Sequence, residues 1–227
     1  MANFEDRIVF KKTDFDYVNP AARVVIVGIT PGNSQLKGNR TGMTSREIKR
    51  NFAFAGSMRQ TLIDMLNHIG VNRLLNIETC QTLWEGDFDK VEMTSLLKDA
   101  TYIKTYNKKT GELEDVMFKD PKKIFLSPKL EQKMNEGFLN DIHQYRNAQL
   151  FVACGPGVYD VLKTLQNRGC FTASLVGIAH PSNLNLGRIH CYLGQKAPID
   201  RSYIWCREKS DEAQHIINDL CQANRGV

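Results

Sequence analysis

The chain has 227 residues, 42% of them hydrophobic and 24% charged, with a formal net charge of +5. This balance excludes intrinsic disorder and is enough for the core of one domain, or two at most. The mild positive charge permits an acidic partner such as nucleic acid without requiring one.

RVVIVGI (23–29) is the first expected strand, β-branched and without polar alternation, as in a strand covered on both faces. Thr44 and Glu47 have capping-box spacing and open a short helix through Phe52. In SMRQTLIDMLNHIG (57–70), Met58, Leu62, Met65, Leu66 and Ile69 recur at helical spacing, and Gly70 is a stop. VEMTSLL (91–97) is a weaker strand candidate. The least regular part is 99–128, where NKKTGE reads as a hairpin tip or exposed loop. Lys104, Lys108, Lys109, Lys119, Lys122 and Lys123 make it a basic insertion, either simply solvated or facing DNA. QLFVAC (149–154) and FTASLVGI (171–178) are further buried strands. Between them, GVYDVLKTLQNRG carries a stripe of Val158, Val161, Leu162 and Leu165 and ends at Gly169. A last helix is expected over about 209–223, with Ala213, Ile216, Ile217 and Leu220 on its apolar face.

Strands alternating with helices predict an α/β protein. It is expected as a three-layer α/β/α arrangement with a central, mainly parallel four-stranded sheet, in one domain over 1–227. Ligands of such sheets bind beyond the carboxyl ends of the strands. Three strands end there in unusual loops: Gly28-Ile29-Thr30-Pro31-Gly32-Asn33-Ser34, Cys154-Gly155-Pro156-Gly157, and Ala179-His180-Pro181-Ser182-Asn183-Leu184-Asn185. Glycines let a substrate approach the backbone and prolines stiffen the loops. Neither G-x-G-x-x-G nor G-x-x-x-x-G-K-[ST] follows the first strand, so dinucleotide and NTP binding fit poorly. The six cysteines include no C-x-x-C pair, which argues against a zinc or iron–sulfur centre. MANFEDRIVFKK has no secretory apolar segment, and no apolar run is long enough to span a membrane. A cytoplasmic protein with reduced thiols is expected.

A first strand ending in G-x-x-P-G, followed near the C-terminus by a strand ending in H-P-S-x-L, resembles the uracil-DNA glycosylase superfamily. The two signatures here are GITPGNSQ (28–35) and AHPSNLN (179–185), in that superfamily's order. The resemblance covers nearly the whole chain, and the second motif is the more specific. It implies a monofunctional DNA glycosylase that hydrolyses the N-glycosidic bond of a flipped-out base with water as nucleophile. It implies no metal, no cofactor, DNA as partner and a monomer, and neither motif contains a lysine for Schiff-base chemistry. His180 takes the role of donor to the departing base. Leu184 matches the position from which the family inserts a residue into the duplex, although it reads equally as an apolar anchor of its loop. Gly155, Pro181, Ser182, Asn183 and Asn185 fall on the DNA side. Gly28, Ile29, Pro31 and Gly32 form one wall of the base pocket, with Phe52 or Phe54 as stacking ring.

The first motif departs from the pattern. Several branches hold an Asp or Asn where this chain has Thr30, which cannot serve as a carboxylate base. Asn33 could orient the water or be a turn residue. Family members often read the base with an Asn after an internal strand. VEMTSLL offers Thr94 and Ser95 there, and LLNIETC (74–80) offers Asn76 as the alternative. Ser95 would enlarge the pocket. Together with Thr30 this points to a modified pyrimidine, including bulky cytosine derivatives of phage DNA, rather than plain uracil. DNA repair and antiphage defence both fit. Two other readings stay open: a non-catalytic nucleic-acid binding protein on the same fold, and an α/β enzyme acting on nucleosides or nucleotides.

Overall fold

In the computed structural model, which describes residues 3–225, the strands are β1 (Ile8–Lys11), β2 (Val24–Gly28), β3 (Val91–Ser95), β4 (Ala100–Tyr106), β5 (Leu113–Met117), β6 (Leu150–Cys154) and β7 (Ser174–Ile178). The helices are α1 (Asn33–Leu36), α2 (Ser45–Phe52), α3 (Ser57–Ile69), α4 (Val71–Leu75), α5 (Pro128–Met134), α6 (Asn140–Ile142), α7 (Pro156–Asn167), α8 (Leu186–Tyr192) and α9 (Arg201–Ala223).

The four apolar runs form one four-stranded sheet, in the order β3-β2-β6-β7, with every neighbouring pair parallel. Period-two alternation splits β2 between two cores. Val24 and Ile26 join the layer of α3, α4, α8 and α9, and Val25 and Val27 join the layer of α5 and α7. Both faces are thus covered by helices, giving the three-layer α/β/α arrangement, and this is why the strands carry no polar alternation.

Local signals explain the helix ends. The Thr44 side chain accepts from the Glu47 amide and the Glu47 carboxylate reaches back to the Thr44 amide, opening α2. Gly70, at φ +92°, closes α3 in the left-handed region and starts α4. α9 begins at Arg201 rather than near 209, because the Asp200 carboxylate accepts from the amides of Ser202 and Tyr203.

Two further corrections apply. The stretch 74–80 is not a strand: α4 ends at Leu75, Asn76 turns the chain at φ +52°, and a 3₁₀ turn follows over Cys80–Trp84. Asn76 is therefore not at the end of a sheet strand. The basic segment is a hairpin of β4 and β5, with NKKTGE at its tip and Gly111 at φ +74°. β1 pairs with β4, making a second, antiparallel sheet in the order β1-β4-β5 that was not foreseen.

One polar feature of the core also escaped the sequence. Glu92 of β3 is fully buried and pairs with Lys49 of α2 at 2.5 Å, while its other oxygen accepts from the Asn19 amide at 2.8 Å. Among the described residues, no helix is long and apolar enough to cross a membrane.

Candidate functional site

The carboxyl ends of the parallel strands open into a cavity of about 510 Å³. Ser95 ends β3, Gly28 ends β2, Cys154 ends β6, and His180 follows β7 by two residues; all four line the cavity. The strand order sets Ser95 and His180 at opposite sides. With three strand intervals between them, their backbones are about 14 Å apart. A planar base can lie between two such walls.

The first loop contributes Gly28, Ile29, Thr30 and Gly32 to the lining, and Pro31 borders a smaller adjoining cavity of about 20 Å³. The Gly155 loop and the His180 loop contribute Gly155, Pro181, Ser182, Leu184 and Asn185. Gly155 has φ +103°, and a Cβ there would come within 3.3 Å of the His180 Cβ, so these two loops pack against each other only with a glycine at this position.

His180 Nδ1 accepts from the Ser182 amide at 3.3 Å. With that nitrogen occupied as acceptor, the neutral ring carries its proton on Nε2. Burial holds the pKa below the ordinary imidazole value, which keeps the ring neutral. Ser182 Oγ in turn accepts from the Leu184 amide at 3.2 Å, shaping the turn. That turn presents Leu184 at 90% exposure, so it does not anchor its loop. Asn183 is exposed on the same turn and lies outside the lining.

Of the two aromatic candidates, Phe54 lines the cavity and is buried. Its φ of +51° is rare for a bulky residue and costs on the order of 1 kcal/mol. The surrounding turn holds it there: the Ala53 carbonyl accepts from Trp84 Nε1 at 3.1 Å, and the Ala55 amide donates to the Phe52 carbonyl. Phe52 points elsewhere, beneath the Arg40 guanidinium at 4.8 Å.

The two residues considered for handling water are placed differently from that expectation. Thr30 lines the cavity, but its hydroxyl donates to the Asp99 carbonyl at 2.8 Å and accepts from the Thr101 amide at 3.0 Å. Asn33 is exposed outside the lining, and its Oδ1 accepts from the Tyr102 hydroxyl at 2.7 Å. Both tie the first loop to the hairpin.

The hairpin and the turn after it supply a wall that the motifs did not reveal: Met117, Phe118, Lys119, Asp120, Pro121 and Lys122. Asp120 is the one carboxylate among the lining residues. Lys122 pairs with Asp160 at 2.9 Å, and that hydrogen bond raises its pKa, keeping it an ammonium. Gln35, quoted with the first motif but given no role, is buried and borders both cavities. Desolvation pushes the Cys154 thiol pKa up, which leaves it inert as a nucleophile.

No protein-family model matches the chain. It is 26% identical over 204 residues to Uncharacterized protein YoxB of Bacillus subtilis (strain 168), an alignment covering 82% of this chain and 75% of that protein. Among solved structures, that of Pedobacter heparinus SMUG2 aligns over 90% of this chain and 75% of that one, at 12% identity and a TM-score of 0.42.

Proposed function

We propose that this chain is a DNA glycosylase that hydrolyses the N-glycosidic bond of a flipped-out uracil-like or modified pyrimidine and leaves an abasic site. The observation that carries this reading is a neutral His180, with its proton on Nε2, across a base-sized cavity from a buried aromatic ring, Phe54, and the Ser95 hydroxyl. Cleaving the bond develops positive charge on the sugar and negative charge on the leaving base. An N–H aimed at a base carbonyl strengthens its hydrogen bond as that charge grows, which is transition-state stabilisation. A neutral donor suits this, since a cationic one would bind anions before the bond breaks.

Water attacks the sugar. Thr30 has its hydroxyl occupied on two sides, so Asp120 is the lining side chain able to take a proton from that water. Lys119 and Lys122, on the same wall, suit phosphates. With Lys122 held as an ammonium, Schiff-base formation there is disfavoured, in keeping with a monofunctional enzyme. The 510 Å³ volume leaves room for a substituted pyrimidine.

The test is a panel of oligonucleotides carrying uracil, thymine mismatches or modified cytosines, together with DNA from phages bearing glucosylated bases. Alkali-labile sites are expected from at least one substrate, in strands that stay intact until alkali is added. His180→Ala should slow their formation about 100- to 1000-fold while DNA binding is retained. Full activity in that variant contradicts the assigned role. DNA binding with no alkali-labile sites on any substrate favours a non-catalytic nucleic-acid binder.

A further inference from the structure

We infer that Gln35 is a specificity-determining residue, whose side-chain amide donates to a carbonyl oxygen on the base edge facing β3, so that the pocket selects an oxo group there over an amino group. This rests on the glycosylase reading and narrows its substrate class to uracil-type bases.

Gln35 is only 8% exposed, and it borders both the large cavity and the 20 Å³ one behind it. Its Oε1 accepts from the Gly32 amide at 2.8 Å. That bond assigns the two ends of the carboxamide, because a flipped amide would set N–H against N–H. Its backbone carbonyl accepts from the Arg40 guanidinium, which fixes the residue from behind. Nε2 is left with no protein partner among the described residues. A buried donor without a partner carries a desolvation cost that a ligand acceptor would relieve.

The neighbours at this end of the cavity are Phe54 and Ser95. A hydroxyl adapts to either sense of hydrogen bond, so the fixed amide sets the preference. His180 stands at the opposite end of the strand order. A base between the two walls therefore meets His180 on one edge and Gln35 on the other. An exocyclic oxygen satisfies Nε2, whereas an exocyclic amino group faces it donor to donor. Leaving such a buried donor unmet corresponds to about ten- to a hundredfold in affinity.

Single-stranded oligonucleotides carrying one 2′-fluoro-2′-deoxyuridine or one 2′-fluoro-2′-deoxycytidine test this by fluorescence anisotropy. The fluorine opposes positive charge on the sugar, so binding is read without base loss. The wild-type protein should bind the uridine probe at least about tenfold more tightly. Gln35→Glu keeps an oxygen for Gly32 and offers an acceptor in place of the donor, so it should reverse the order. Gln35→Ala should erase it. Equal wild-type affinity for the two probes overturns the proposal whether or not the variants fold, and so does an unchanged preference in a folded Gln35→Glu. Base release from the corresponding unfluorinated strands separates the two readings. An oxo preference without abasic sites removes the glycosylase reading alone, and abasic sites without an oxo preference remove the role of Gln35 alone.

Discussion

At the scale of single residues, the site depends on groups whose hydrogen bonds leave one atom free. His180 spends Nδ1 on the Ser182 amide and keeps Nε2–H for the cavity. Gln35 spends Oε1 on Gly32. Thr30 is the opposite case, a hydroxyl with both roles taken. The state of His180 can be checked by its titration. Burial disfavours the charged ring, so its pKa in the folded protein is lowered from 6.5. The neutral donor is complete above that value and is lost only as pH falls through the depressed pKa, where protonation at Nδ1 also breaks the bond from Ser182. An NMR titration of His180 should give a midpoint below 6.5, and base release should stay level above it and fall on the acid side. A midpoint above 6.5 would show that the imidazolium is the form held in the cavity.

At the scale of elements, β2 and the β4–β5 hairpin are one mechanical unit. Thr30 follows β2 and bonds both Asp99 and Thr101, and Thr101, at the start of β4, is fully buried. Thr30→Val keeps the shape but strands the Thr101 amide. It should cost about 1–3 kcal/mol in urea unfolding and speed hydrogen exchange at Thr101, while Thr30→Ser restores both. A Thr30→Val protein of unchanged stability and exchange would mean that the latch carries no strain. The parallel strands were legible because burial on both faces forces continuous apolar runs, and α3 because its apolar stripe ends at Gly70. The antiparallel sheet was not. Ile8–Lys11 is four residues of mixed burial, and its register with Ile103 is set by a contact between distant parts of the chain. The cavity wall at 117–122 was hidden for the same reason. Phe52 and Phe54 differ only in a backbone angle, which no side-chain pattern reports.

At the scale of the whole molecule, the cavity mouth lies between two rims of different chemistry. One is the turn carrying Leu184, and the other carries Lys119 and Lys122. A rim of ammonium groups follows a phosphate backbone without reading sequence. An apolar side chain left 90% exposed beside it has no partner within the fold. In a duplex such a side chain has work to do, since an extruded base leaves a gap in the stack that an apolar wedge can fill. In a single strand there is no such gap. Leu184→Ala should therefore leave thermal stability unchanged, because it removes no buried contact. On duplex substrate it should lose the burial of its side-chain methyls, about 2 kcal/mol or roughly thirtyfold in rate. The same variant on the single-stranded form of that sequence should keep nearly all its activity. Matching losses on the two forms would place Leu184 in the base pocket and not in the duplex.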